Sequence, residues 1–300
     1  MVYAGLDLHK SFCQTKVCTK EGELIKEGRI KTEKEDIEEF FSDQEDLTIA
    51  FEASGNYEYF YDLLESFGHK VVLAHPLKTK MIAEAKIKTD KIDAKTLAEL
   101  LRGDFLPTSY VPPKEIRGLR HLVRHRIFLG KYRGIIKNQI KTELRRKNIK
   151  YPDGAGIFMG KGKKWLCSLK NPVIDSYLAI YEAVDKELKE AEREIEKTGK
   201  EYEEVKLLTG IVGIGMYSAL IIYSEIENCS RFSNEEKAFS YAGLVPRVHQ
   251  SGNTSYYGRI TKEGSKYLRW ILVEAVRVHV QWCPNSKITK HYNKIKKKKG

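Results

Sequence analysis

Apolar and polar positions alternate from Val2 to Leu8, with Val2, Ala4, Leu6 and Leu8 on one side and Tyr3, Gly5 and Asp7 on the other. That is the period of a strand, and it puts Asp7 near a strand end. The same logic predicts a second strand over Phe12–Thr19, a turn at residues 20–23 and a third strand over Leu24–Lys31, together an antiparallel meander. Thr32 and Glu35 have the spacing of a capping box and open a helix that runs through Phe40. LTIAFEAS (residues 47–54) reads as a fourth strand with Glu52 near its end. GNYEYFYDLLESFG reads as a helix closed by Gly68, HKVVLAHP as a fifth strand, and residues 77–102 as a helical region.

The order β-β-β-α-β-α-β-α is that of an RNase H-like domain, expected over residues 1–110. Beyond Pro112 and Pro113 the pattern changes. Residues 114–150 keep a helical apolar spacing but are dense in Lys and Arg, with only Glu115 and Glu143 as acids. A solvated face usually mixes signs, so this stretch reads as a helix or helix pair laid against phosphates, with Arg117, Arg120, Arg124, Arg133 and Lys137 as contacts. Residues 151–164, including GKGKK, lack the spacing of a phosphate-binding loop and read as a linker. Over residues 174–205 a heptad seam recurs through Ile174, Tyr177, Tyr181, Val184, Leu188, Ala191, Ile195, Thr198, Tyr202 and Val205. A coiled coil between subunits gives this pattern, and so does a helical hairpin within one chain. Residues 111–205 are thus expected as basic helices and coiled coil, and residues 206–300 as a helical C-terminal domain.

Composition sharpens the partner. The 300 residues are 41% hydrophobic, enough for one large core or two or three small ones. Lys and Arg number 53 against 41 Asp and Glu, a net charge of +12 that suits a polyanion, nucleic acid before a membrane surface. No apolar run approaches a spanning helix and the first residues carry an acid where a secretory signal is apolar, so a cytoplasmic protein is expected. Five scattered cysteines without a CxxC pair read as reduced thiols.

Four acids are the strongest candidate for chemistry. In the expected topology Asp7 and Glu52 end neighbouring strands, and Asp90 with Asp93 project from a helix toward the same sheet edge. On one helical face the last two repel, although Lys91 and Lys95 lie nearby to soften it. Four converging oxygen ligands would hold two Mg²⁺ ions about 4 Å apart for phosphoryl transfer. Taken singly, each acid reads as a cap or a surface charge. Gly210, Gly213 and Gly215 interrupt two apolar helical segments, either as a helix-hairpin-helix whose N–H groups hold a phosphate or as a tight helical corner. Further on, a polar loop with Ser251, Gly252 and Asn253 is flanked by Arg247, Arg259 and Lys262. Ser251 is a nucleophile only with a base or metal beside it, and His249 is a nearby base; the plain alternative is a turn serine. His121 and His125 have i, i+4 ligand spacing among arginines that repel a cation, and KIKKKK before Gly300 reads as a disordered basic arm.

GLDLHK, FEASGNY and KTDKIDAKTLAELL in the first third, followed by GIVGIG, AGLVPRVHQSG and GRITKEGSKYLR, resemble the bacterial insertion-sequence transposases of the one-ten family, which are related to the pilin-gene inverting recombinases. The resemblance implies a RuvC-like domain in which Asp7, Glu52, Asp90 and Asp93 hold Mg²⁺, and a C-terminal transposase domain in which Ser251 attacks a DNA phosphate to give a covalent phosphoserine intermediate. It also implies a noncoding bridge RNA that pairs with donor and target DNA, and homodimers that pair into tetramers and complete active sites between subunits. Gln250 stands where relatives often carry a second serine, which leaves Ser251 as the nucleophile implied and Ser255 as its near neighbour. Two alternatives remain: a RuvC-like junction nuclease without a covalent intermediate, and a nucleic-acid-binding protein whose acids are structural.

Overall fold

A computed structural model describes residues 1–82, 89–152, 156–251 and 254–299. The chain forms two compact units, Met1–Val111 and Pro112–Gly300.

The first unit is a five-stranded sheet in the order β3-β2-β1-β4-β5, made of β1 (Val2–Leu8), β2 (Phe12–Thr19), β3 (Leu24–Lys31), β4 (Leu47–Glu52) and β5 (Lys70–Ala74). The meander β1-β2-β3 is antiparallel, and β4 and β5 extend it in parallel. Helices α1 (Lys34–Phe41), α2 (Tyr57–Ser66), α3 (Pro76–Ile82) and α4 (Asp90–Arg102) complete the order expected from the sequence. The helical region expected over 77–102 is thus two helices, and residues 83–88 between them, Lys88 included, lie outside the described residues.

The two faces of the sheet have different tasks. Ala4, Leu6, Val17, Ile49, Phe51 and Leu73 point to one face and meet Ile37 and Phe41 of α1 and Phe60 and Leu64 of α2. Each fully buried Leu, Ile, Val or Phe among them contributes about 1.5–3 kcal/mol. Gly5, one residue out of phase with Ala4 and Leu6, lies on the opposite face under α4. A Cβ there would sit 2.1 Å from the Ala94 carbonyl oxygen and 2.5 Å from the Ala98 nitrogen, so only glycine lets α4 approach. The capping box does not form: α1 starts after Glu33 without a side-chain cap, and Thr32 Oγ1 donates instead to the Lys10 carbonyl, 3.0 Å away, tying β3 to the β1–β2 turn.

The second unit is mostly helical. Helix α5 (Lys114–Arg146) and α7 (Pro172–Gly199) run antiparallel. Ile136, Ile140 and Leu144 pack with Ile174, Leu178 and Tyr181, Leu129 packs with Leu188 and Ala191, and Ile116, Leu119 and Val123 pack with Ile195. The heptad seam of α7 is therefore closed by α5 of the same chain, the hairpin alternative. The seam also ends earlier than its pattern, at Gly199, where a Cβ would meet Met216 Sδ at 2.5 Å; Val205 belongs to the next helix, α8 (Glu203–Thr209). GKGKK is not a linker but the start of α6 (Gly160–Ser168), because Leu166 on its apolar side is buried with Ile174.

After α9 (Met216–Ile226) and α10 (Glu235–Tyr241) comes a hairpin of β6 (Pro246–Ser251) and β7 (Thr254–Ile260), then α11 (Lys266–Trp282) and α12 (Lys287–Lys299). The KIKKKK segment thus lies in a helix rather than a disordered arm; near the start of α12, buried Thr289 donates to the Cys283 carbonyl, 2.7 Å away, and anchors it. Ile116, Leu119 and Val123 share a core with Leu220, Ile221, Leu268 and Ile271, so the segments expected as 111–205 and 206–300 pack in one unit. Among the described residues no helix is long and apolar enough to cross a membrane.

Candidate active site

Strand register sets the first two acids side by side. In the parallel pair of β1 and β4, Gly5 lies opposite Ala50 and Leu6 opposite Phe51, so Asp7 and Glu52 are the next residues out at the C-terminal edge. Both share the Gly5 face, since Asp7 is two residues beyond Gly5 and Glu52 two beyond Ala50. Helix α4 covers this face and begins at Asp90, capped by Thr89, whose Oγ1 accepts from the Ile92 N–H at 3.3 Å. The cap aims the first turn, with Asp90 and Asp93, at the same edge, where the helix dipole favours negative charge.

His9 joins two of these acids. Its Nε2 lies 3.1 Å from Asp7 Oδ2 and 3.4 Å from Asp90 Oδ2, and one donor atom from each of the three lies within 4.8 Å of the others. Burial raises the Asp7 carboxyl above its ordinary pKa; His9 opposes this, while the charges of Asp93 and then Asp90 push in the same direction as burial. A half-buried carboxylate facing two more carboxylates is the donor set of a hard divalent cation, with one imidazole nitrogen added. Asp7, Asp90, Asp93 and Glu52 are thus the residues that could hold such an ion. His9 is a site residue not singled out from the sequence, although in GLDLHK it stands two residues beyond Asp7, one strand period away.

The imidazole continues into a stack. His9 lies over Phe12 with ring centroids 4.4 Å apart, and the Arg29 guanidinium sits 3.5 Å from the Phe12 centroid. Beyond it a groove of about 500 Å³ is lined by Gln14, Glu27, Gly28, Arg29, Thr89, Asp90 and Lys91. Its lining sets two cations, Arg29 and Lys91, against two acids, Glu27 and Asp90, so the groove beside the acids carries no net charge of its own.

In the second unit Ser251 ends β6, paired with Thr254, and is exposed. The expected polar loop is therefore a β-hairpin with Gly252 and Asn253, outside the described residues, between its strands. A two-residue Gly-Asn step between short strands was the signal available in the sequence. Cross-strand pairing puts Ser251, Thr254, His249 and Tyr256 on one face and Gln250, Ser255, Val248 and Tyr257 on the other, so the two serines face apart. Arg247 and Arg259 are exposed on the same hairpin and Lys262 just beyond it.

The glycine corner between α8 and α9 divides its roles. Gly213 has φ +98, and a Cβ there would sit 2.5 Å from the Ala275 carbonyl oxygen, so it serves close packing on α11. Gly215 is exposed at the N-terminus of α9 with open space around it.

The basic residues singled out on α5 are engaged inside the unit. Arg120 Nε donates to the Ser224 carbonyl at 2.6 Å and its Nη2 to the Glu225 carbonyl at 3.0 Å, closing the C-terminus of α9. Arg124 clasps the buried Glu225 carboxylate with bonds of 3.1 and 2.7 Å, and Arg133 donates to Asp185 at 2.8 Å. Lys137 lies over the Phe158 and Tyr181 rings, where burial first and Arg133 next hold its ammonium below the ordinary pKa. Arg117 is 4% exposed and also partnered. Each of these cations thus has a partner within the protein, and the acids met by Arg124 and Arg133 lie on α9 and α7, while both side chains stay about a third exposed.

Residues 4–149 match a transposase family described as DEDD_Tnp_IS110, and residues 205–293 match the family described as Transposase IS116/IS110/IS902. Similar chains include a probable family 20 transposase of Pseudomonas aeruginosa, 25% identical over 94% of this chain and 85% of its own length. Another is the transposase for insertion sequence element IS1533 of Leptospira borgpetersenii, 26% identical over 93% of this chain and 85% of its own length. A third is the transposase for element IS1111A of Coxiella burnetii, 24% identical over 79% of this chain and 67% of its own length. With both ends matched in order, and the acids lying in the first match and Ser251 in the second, this chain belongs to the IS110 family of transposases.

Proposed function

We propose that this transposase cleaves and rejoins donor and target DNA through an RNase H-like metal site in its first unit and a serine nucleophile in its second. The observation that carries the proposal is the meeting of Asp7 and Asp90 across His9 at the edge where β1 and β4 end, with Glu52 and Asp93 on the same face. Asp7, Glu52, Asp90 and Asp93 would hold Mg²⁺, two ions by the count of oxygen donors. Bound there, Mg²⁺ supplies Lewis-acid stabilisation of charge on the phosphate. Ser251 Oγ forms a bond to phosphorus as one sugar–oxygen bond to that phosphorus breaks, the serine proton goes to a base, and the freed sugar hydroxyl is protonated. Attack by the exchanged strand's hydroxyl reverses these steps and restores Ser251. Arg247, Arg259 and Lys262 contact phosphates near the nucleophile, and the N–H groups at Gly215 are open to another. Guidance by a bridge RNA, and homodimers pairing into tetramers, complete the proposal and rest on the family resemblance.

The test is a denaturing gel of the protein incubated with Mg²⁺, donor and target DNA and the RNA flanking its element. A protein–DNA adduct is expected, lost in Ser251→Ala and kept in Ser255→Ala, whose hydroxyl lies on the other face of the hairpin. An adduct that survives Ser251→Ala removes the serine assignment. Cleavage without any adduct favours a junction nuclease that uses the acids alone, and full cutting by Asp7→Asn and Asp93→Asn removes the metal site.

A further inference from the structure

The β6–β7 hairpin exposes apolar and aromatic side chains on both faces: Val248 is 53% exposed, and Tyr256 and Tyr257 are each 67% exposed. Two-stranded ribbons bury their apolar side chains against a core or a partner, so a ribbon that leaves two tyrosines in solvent is shaped for an occupant. Residues 246–262 contain no acid, while Arg247, Arg259 and Lys262 carry positive charge, so the occupant is an anion with flat apolar parts. A nucleic-acid strand meets both requirements, since guanidinium groups take its phosphates and tyrosine rings take its bases.

The two faces are not equivalent. The pairs His249–Tyr256 and Ser251–Thr254 put Tyr256 and His249 on the Ser251 face, about 7 Å along the strand from it. Tyr257, paired with Val248, is on the reverse. We infer that Tyr256 stacks on an unpaired DNA base beside the phosphate that Ser251 attacks, so that Tyr256 is a positioning residue for the nucleophile. An aromatic ring has no room to stack within an intact duplex, whose bases already cover one another, so the inference requires that the base beside the exchanging phosphate be unpaired. DNA rather than RNA follows from the shared face with Ser251. The inference rests on the proposed role of that serine, but its measurement is binding and does not need cleavage.

The experiment uses the full chain and a short single-stranded oligodeoxythymidylate carrying one 2-aminopurine, whose fluorescence is quenched when it stacks on tyrosine. Wild type and Ser251→Ala are expected to quench alike. Tyr256→Leu should lose the quenching and bind about tenfold more weakly, Tyr256→Phe should restore both, and Tyr257→Leu should behave as wild type. Equal quenching by Tyr256→Leu and wild type overturns the inference, as does an equal loss in Tyr257→Leu. Tighter binding of the matching ribo-oligomer through Tyr256 would assign the face to RNA. A change in the sedimentation of the DNA-free protein on Tyr256→Leu would assign it to a second copy of the chain. If instead the adduct survives Ser251→Ala while quenching depends on Tyr256, the nucleophile assignment fails and the stacking site stands.

Discussion

At the scale of a residue, His9 bears on which cation the proposed site would take. Carboxylate oxygens alone suit Mg²⁺, whereas an imidazole nitrogen among them raises affinity for Mn²⁺ and later first-row ions. Its Nε2 stands between Asp7 and Asp90, where it is either a fifth donor or an occupant of the ion's place. If it is a donor, His9→Ala should weaken Mn²⁺ binding by about tenfold or more and Mg²⁺ binding much less, read by paramagnetic resonance of free Mn²⁺ and by its displacement with Mg²⁺. Tighter binding of both ions by His9→Ala would mean that the ring merely occupies the site. The acids could be read from the sequence because each sits where a pattern stops: Asp7 and Glu52 at strand ends, Asp90 and Asp93 at a helix start. His9 could not, because its importance comes from an 81-residue jump in sequence that only the packing of α4 on Gly5 brings close.

At the scale of elements, charge in the sequence does not say which cations face solvent. Helix α5 looked like a phosphate-binding surface because acids are scarce along it, yet Arg120, Arg124 and Arg133 close the end of α9 and pair with acids brought by α7 and α9. Arg124→Ala leaves the Glu225 carboxylate, 2% exposed, without the guanidinium whose two N–H groups meet its Oε1, which should cost about 2–3 kcal/mol in urea denaturation. It should leave the salt dependence of DNA binding unchanged. Arg259→Ala should do the reverse, with stability unaltered and the slope of log affinity against log salt reduced by about one. A reduced slope in Arg124→Ala would restore α5 as a phosphate surface. Elements with a clean period, β1 to β5 and α7, were legible to within a few residues. The β6–β7 hairpin was not, because its alternation is carried by exposed polar and aromatic residues with no buried face to mark it, and the Thr32 cap does not form because α1 starts one residue later, with Glu33 at the N-cap position.

For the whole molecule, the sequence suggested three segments where packing makes two units, because the seam of α7 and the helices after it share cores with α5. Among the described residues, each buried cluster is built from one unit. Separate cores predict that each unit unfolds on its own, so that a ligand of one need not stabilise the other. Scanning calorimetry of the full chain should show two transitions. Mn²⁺ at a hundredfold over its dissociation constant should stabilise the first unit by about 2.7 kcal/mol and shift only its transition upward by several degrees. Asp7→Asn should abolish that shift, and Arg124→Ala should lower the other transition alone. A single transition moved as a whole by the ion and by both substitutions would mean that the units unfold together, and the acids and the hairpin would then share one cooperative structure.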